Sequence, residues 1–307
     1  MRSVPTCVCP LCHAGSVGDI TNISPQRVAQ LLSDATGRPY QLLGRLPGGE
    51  SGAHKFLSPD GSPVVVKWDS RPTSRRLRGE AVVLSERLRT EAGWPVPAQI
   101  VIDVDDVRFV IQEFMHGVPP HCLDDRLLDE LLDIHGRRIG MAREGDPIHW
   151  PDSLISTLAV GREGYCLHSS LYDFDPRTRD LVKRIENFGS AISPSEFAGN
   201  DIVHWDFHPG NLLTSEGSLS AVVDTDFALV GDAKFDLVAL AIASMSVPCE
   251  RGVRTRLASA ALDDLDDLAT QAYLAHFLLR LIDWPIRRGR LDEIDFWLQK
   301  ADELLII

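Results

Sequence analysis

DIVHWDFHPGNLLTSEGSLSAVVDTDFALVGD, residues 201–232, is the stretch whose reading decides the fold. A short apolar entry leads into a loop rich in His, Asp and Asn, and two short strand-like runs follow. Asp206 and Asn211 are five apart on the loop, and Asp224 ends an apolar run 18 residues past Asp206. Phosphoryl transfer from ATP needs such a set. One carboxylate must orient the attacking hydroxyl and accept its proton, and hard oxygen ligands must hold Mg2+ against the phosphates. Asp206 suits the first task, Asn211 and Asp224 the second. Either Asp206 or Asn211 alone would read as a turn residue. The joined string H-x-D-x4-N and V-V-D-x-D is hard to obtain from turns.

Working toward the N-terminus, the chain alternates short strands and helices. Ser24 to Thr36 reads as a helix, with Ser24 as N-cap, Pro25 in the first turn and Gly37 as its stop. Tyr40 to Leu46, Ala53 to Leu57 and Val64 to Trp68 read as an antiparallel meander, with LPGGESG and SPDGSP as its turns. Leu77 to Ala92 has helical period and stops at WPVP. Ile100 to Val104 and Arg108 to Glu113 read as two more strands, and GVPP closes this region near residues 114–118. Beyond it, Asp124 to Arg138, Pro176 to Phe188 and a long segment from Val253 to Trp284 carry helical apolar spacing. Residues 118–200 carry no placeable motif. The pattern gives residues 1–22 as a tail, 23–116 as a small sheet-rich lobe and 117–307 as a larger, mainly helical lobe.

Composition narrows the function classes. The 307 residues are 44% hydrophobic and 24% charged, which is globular usage. No apolar run is long enough to span a bilayer, and no long apolar core follows Arg2, so neither a membrane segment nor a secretory signal is expected. Cys122, Cys166 and Cys249 are scattered singly, the pattern of a reducing, cytoplasmic setting. Cys7, Cys9, Cys12 and His13 in CVCPLCH could supply four soft ligands, but zinc knuckles come in pairs and no second one follows. The net charge of −13 and the lack of a basic patch argue against nucleic acid. Up to His116 there are 13 Lys/Arg against 12 Asp/Glu; after it there are 18 against 32.

The 201–232 stretch closely resembles the catalytic segment of the aminoglycoside phosphotransferase and choline kinase-like family, relatives of protein kinases. That family shows H-G-D-x-H-P-x-N, then a strand ending in I-D-x-[DE]. The matching residues are His204, Asp206, His208, Pro209, Asn211, Asp224 and Asp226, with Trp205 where glycine is commoner. The resemblance implies an α+β, two-lobed protein-kinase-like fold, ATP and Mg2+ as cofactors, Asp206 as base, and Asn211 and Asp224 as metal ligands. It further implies that Lys67 in VVVKW contacts the phosphates, held by Glu80 on the next helix, although Glu86 shares that helix. Gly48, Gly49, Ser51 and Gly52 would approach the phosphates, and the backbone of Glu113, Phe114 and Met115 would meet the adenine. Asp236, in GDxxxDLV, would tie the catalytic loop to a helix. No D-F-G or A-P-E is present, which leaves no place for a peptide substrate.

The acidic second half suits a cationic acceptor. Asp226, Asp263, Asp267 and Asp283 are the substrate-facing candidates. For Asp263, Asp264, Asp266 and Asp267 the bland account is a solvated face at a helix start, with Leu262, Leu265, Leu268 and Ala269 buried behind it. The leading expectation is a monomeric or homodimeric kinase acting on an aminoglycoside-type or related antibiotic. A metabolic kinase for choline, homoserine or a sugar, and a non-catalytic nucleotide-binding regulator, are the alternatives.

Overall fold

The computed structural model describes residues 23–46, 53–162, 165–197 and 199–307. The CVCPLCH tail and the glycines of LPGGESG lie outside the described residues. By its contacts the chain divides into two units. One holds the described residues up to Pro120 together with Gly210–Ala228; the other holds His121–Pro209 and Leu229–Ile307.

The first unit is built on an antiparallel sheet. Helix α1 (Pro25–Thr36) starts where the Ser24 hydroxyl accepts from the Arg27 N–H, and it stops at Gly37, whose φ is 65°. Strands β1 (Gln41–Arg45), β2 (His54–Leu57), β3 (Pro63–Asp69), β4 (Gln99–Val104) and β5 (Val107–Glu113) pair in the order β1-β2-β3-β5-β4. The β2–β3 turn closes with Ser58 N–H donating to the Ser62 carbonyl, and Gly61 takes a φ of 86° that suits glycine. Helix α2 (Pro72–Thr90) lies between β3 and β4 in the chain. Val28 and Leu32 of α1 join Phe56, Val66, Trp68, Val107, Phe109 and Ile111 in the core. Because side chains alternate along a strand, burying Val66 sends Lys67 to the opposite face. A hairpin of Leu212–Ser215 and Ser218–Val222 completes this unit.

The second unit is mainly helical: α3 (Asp125–Gly136), α4 (Trp150–Val160), α5 (His168–Phe174), α6 (Pro176–Ala191), α7 (Lys234–Ser244), α8 (Val253–Ala261), α9 (Leu268–Arg288) and α10 (Ile294–Leu304). A short antiparallel pair, Asp201–Val203 with Leu229–Gly231, runs through its interior. The fully buried Trp150 ring stands edge-on to Trp205, Phe235 and Tyr273. A Cβ at Gly231 would come within 2.7 Å of that indole, so the strand can pass only as glycine.

The expected continuous segment from Val253 to Trp284 is two helices. Leu262 to Asp267 is non-helical, and its leucines are only half-buried. Aspartate side chains compete for backbone N–H groups: Asp264 accepts from Asp266 N–H, and Asp267 accepts from Thr270 N–H as the cap of α9. Among the described residues, no helix is long and apolar enough to cross a membrane.

Two histidines of this unit are buried as neutral rings. Burial, and then the Arg138 guanidinium that donates to its Nδ1, push His135 down to about 3. Burial, Arg162 and Arg280 push His276 well below its ordinary value. Between these values and an unfolded value of 6.5, the unfolded chain binds more protons. Stability is therefore full above pH about 6.5 and falls on acidification, approaching about 1.4 kcal/mol per pH unit per histidine. Urea unfolding at pH 7, 6 and 5 should show that decline, and His135→Asn should lessen it, leaving the part due to His276.

Candidate active site

In the sheet unit, the Asp224-Thr225-Asp226 turn is tied down by side chains from four elements. Lys67 of β3 places Nζ 2.7 Å from Asp224 Oδ1 and 3.0 Å from Asp226 Oδ1. Arg78 of α2 forms an ion pair with Asp226, and Gln112 of β5 donates to the same carboxylate at 3.3 Å. Thr225 shares hydrogen bonds with Ser85 of α2 and Gln99 of β4. Burial opposes the charge on Asp226, but Lys67 and Arg78 overcome it and hold this carboxyl well below the usual range. Burial likewise opposes the Lys67 charge, and the two aspartates overcome it, raising the ammonium above its ordinary value. The hairpin then sets Asn211 beside this turn. Leu212 pairs with Val222, and Val223 N–H donates to the Asn211 carbonyl at 2.9 Å, directly before Asp224. Asp224 itself turns with φ 65° and keeps 39% of its side chain exposed, so its carboxylate stays accessible.

In the helical unit, the loop after Val203 carries Asp206. The fully buried Asp236 of α7 accepts from the N–H groups of His204, in a short contact of 2.6 Å, and Trp205, at 3.0 Å. The same carboxylate forms an ion pair with Arg138, also fully buried. This is the tie between loop and helix expected of Asp236. Trp205 takes a φ of 76°, uncommon for a large side chain, and its ring is held against Trp150, Phe235 and His276. Asp206 is exposed and has His208 Nε2 at 3.5 Å from Oδ2. Crowding by the surrounding protein opposes ionisation of Asp206. The hydrogen bond and charge of His208, with His204 and Arg280 beyond it, prevail and hold the carboxyl far below its ordinary value.

Several expectations require correction. Glu80 does not hold Lys67: it pairs with Arg76 one turn away at 2.6 Å, while Glu86 pairs with Arg89. Asp224 and Asp226 are on a turn, not a strand, and Asp226 is buried between Lys67, Arg78 and Gln112 rather than offered to a substrate. Asp283 is fully buried and accepts from Arg287 and Ser170. Asp267 caps α9 and reaches Lys234 at 3.3 Å. Asp263 is exposed, 3.7 Å from the same lysine. Glu113 ends β5 with its N–H bonded to the Ala98 carbonyl. Phe114 lies beneath the Lys55 ammonium, 3.6 Å from its ring centre, and Met115 is half-buried. The sequence reading missed Arg78, Gln112 and Arg280. Nothing in their local spacing sets them apart from surface arginines or core residues.

A small antiparallel sheet unit with the lysine and metal-ligand candidates, and a helical unit with the aspartate loop, define a kinase-like phosphotransferase fold. A sequence profile of the phosphotransferase enzyme family matches residues 42–273, so the chain belongs to that family and is a phosphotransferase acting on a hydroxyl group of a small molecule. No curated protein matches the sequence significantly. Solved structures share the fold at low identity. Aminoglycoside phosphotransferase APH(4)-Ia has a TM-score of 0.64 and 15% identity, over 92% of this chain and 98% of its own. Choline kinase LicA from Streptococcus pneumoniae has a TM-score of 0.59 and 15% identity, over 91% and 97%. A putative fructosamine-3-kinase from Haemophilus somnus has a TM-score of 0.56 and 13% identity, over 91% and 96%.

The ion network around Asp226 yields a direct test. Removing one partner of a buried pair leaves an uncompensated charge, at a cost of about 3–5 kcal/mol. Arg78→Ala and Asp226→Asn should each lower the free energy of urea unfolding by about that much, while Glu80→Gln should shift it by less than about 1 kcal/mol.

Proposed function

We propose that the chain transfers the γ-phosphoryl group of ATP to a hydroxyl of a small molecule. The observation that supports this most is the meeting of Lys67, Asp224 and the Asn211 backbone in one unit. A phosphate-binding cation and two hard oxygen donors there have the composition that a Mg2+-nucleotide requires. Two protein oxygens also suit an ion that keeps waters and phosphate oxygens in its shell. In support, APH(4)-Ia has been solved in ternary complex with ADP and hygromycin B.

Asp206 orients the acceptor hydroxyl and takes its proton. The acceptor oxygen forms the new P–O bond while the bond from the γ-phosphorus to the bridging oxygen breaks, and the electron pair leaves with ADP. Asp206 is suited to this work because His208 steadies the carboxylate and Asp236 fixes the loop behind it. A strongly ionised carboxylate is a weak base, so its main contribution is orientation. Lys67 holds the α- and β-phosphates. Asn211 and Asp224 would hold Mg2+, which when bound would offset charge on the phosphates. Residues 23–116 form the nucleotide-binding lobe in this reading, with Glu113 to Met115 at the base.

An aminoglycoside-type antibiotic was the acceptor expected from charge. That expectation came from the acid-rich second half, with four carboxylates as candidate contacts, of which Asp226, Asp267 and Asp283 hold the fold together instead. A cationic acceptor therefore draws no support from them.

Asp206→Asn should keep ATP affinity near wild type and lose turnover by roughly 10²- to 10⁴-fold. Lys67→Ala should weaken ATP binding, and Asp224→Ala should abolish turnover and remove the Mg2+ dependence of nucleotide binding. Steady-state kinetics with calorimetric ATP titration reads all three, and undiminished turnover in Asp206→Asn refutes the assignment.

A further inference from the structure

The acidic composition of the helical unit is reversed beside Asp206. Trp284 of α9 has the guanidinium carbons of Arg280, Arg288 and Arg287 at 4.1, 4.3 and 5.1 Å from its ring centre. The guanidinium carbons of Arg280 and Arg162 also lie 4.9 and 5.2 Å from the Tyr165 ring centre. Backbone hydrogen bonds run in both directions between Arg162 and Cys166, the neighbour of Tyr165. The Tyr165 ring is 6.1 Å from that of Trp205, the residue joined to Asp206, and Arg162 is 5.8 Å from the same indole. Arg162, Tyr165, Arg280 and Trp284 thus form one cluster against the loop that presents Asp206.

Among the described residues, the charges in this cluster are mostly positive. Asp283, the nearest carboxylate on α9, is buried and satisfied by Arg287 and Ser170. Arg280 acts on Asp206 through space, and Asp206 and Arg280 both act on the Tyr165 hydroxyl. The fully buried His276 ring, four residues before Arg280, has no hydrogen-bond partner on either nitrogen. Burial and both arginines keep it neutral, so it carries no charge of its own in the cluster. Guanidinium planes stacked on an indole are preorganised, and their forked donors match the two oxygens of an oxyanion.

We propose that Arg162, Tyr165, Arg280 and Trp284 form the acceptor subsite and that the acceptor carries an oxyanion, a carboxylate or phosphate monoester, beside the hydroxyl it offers to Asp206. This rests on the reading of Asp206 as the base. The arginines offset the repulsion between such an acceptor and Asp206, and they disfavour a polycation by like charge. Arg280 is the main specificity residue, and the exposed Arg288 adds a weaker contribution from the rim.

The test is acceptor-stimulated ADP release with glucuronate, glucose 1-phosphate, glucose, glucosamine and hygromycin B. The first four share a sugar ring and differ in charge. Stimulation should be greatest with glucuronate or glucose 1-phosphate, and the better of the two tells carboxylate from phosphate. Arg280→Gln should raise the KM of that acceptor roughly 10- to 100-fold, as for loss of a charged hydrogen bond, with the KM for ATP unchanged. Arg280→Lys should recover part of the loss. Arg288→Gln, at an exposed position, should raise the same KM a few-fold and carries the test if Arg280→Gln does not fold. Greatest stimulation by glucose, glucosamine or hygromycin B, no stimulation by either anion, or an anion KM indifferent to both substitutions overturns the proposal. Asp206→Asn separates the two levels. If it loses stimulated release while a cation is the best acceptor, only the acceptor class is wrong; if it retains stimulated release, the assignment of Asp206 has failed and the subsite with it.

Discussion

The carboxylate of Asp236 bears the loop that presents Asp206. It has left water completely, a transfer that is costly unless every lone pair finds a donor. Here the donors are the backbone N–H groups of His204 and Trp205 and the guanidinium of Arg138. With both N–H groups aimed at one carboxylate, the backbone at Trp205 is driven into the left-handed region, and the aromatic cluster holds it there. Asp206 follows with its side chain exposed. The neutral His135 is a further consequence, since it accepts from the arginine that Asp236 keeps in place. Removing this carboxylate would release the loop, orphan Arg138 and change the setting of His135 together.

A second principle concerns what net charge conveys. The chain carries 44 acidic side chains, and several are committed to the fold. Asp69 binds the backbone and side chain of Arg71, and Asp201 accepts from Gly140 and Ala233 N–H. Asp226 anchors the turn that carries Asp224, Asp267 caps α9 and Asp283 steadies Arg287. Each satisfies a particular donor at short range. The excess that remains on the surface governs solubility and long-range fields, and it is a poor guide to the charge lining one pocket.

Local features were well legible. The Ser24 cap, the SPDGSP turn, the VVVKW strand and the loop-hairpin-turn order of residues 201–226 depend on neighbours in the chain, and the structure shows each close to its expected limits. Long-range partners were not legible. Arg78 reaches Asp226 across 148 residues, and no spacing rule distinguishes it from Arg75 or Arg76 in the same turn of helix. The choice between Glu80 and Glu86 as partner of Lys67 went unanswered because the lysine turned to Asp224 and Asp226 instead. The break before α9 was hidden by leucines that kept helical spacing through a segment whose aspartates capture backbone N–H groups.

Trp205 stands where a glycine would meet the backbone requirement without strain, and its indole has a consequence of its own. The ring is one peptide bond from Asp206, almost fully buried, and edge-on to Trp150 at 5.6 Å. Indole emission responds to local polarity and to neighbouring rings. The chain therefore carries a native optical reporter at the loop itself, and displacement of Asp206 changes the light the protein emits.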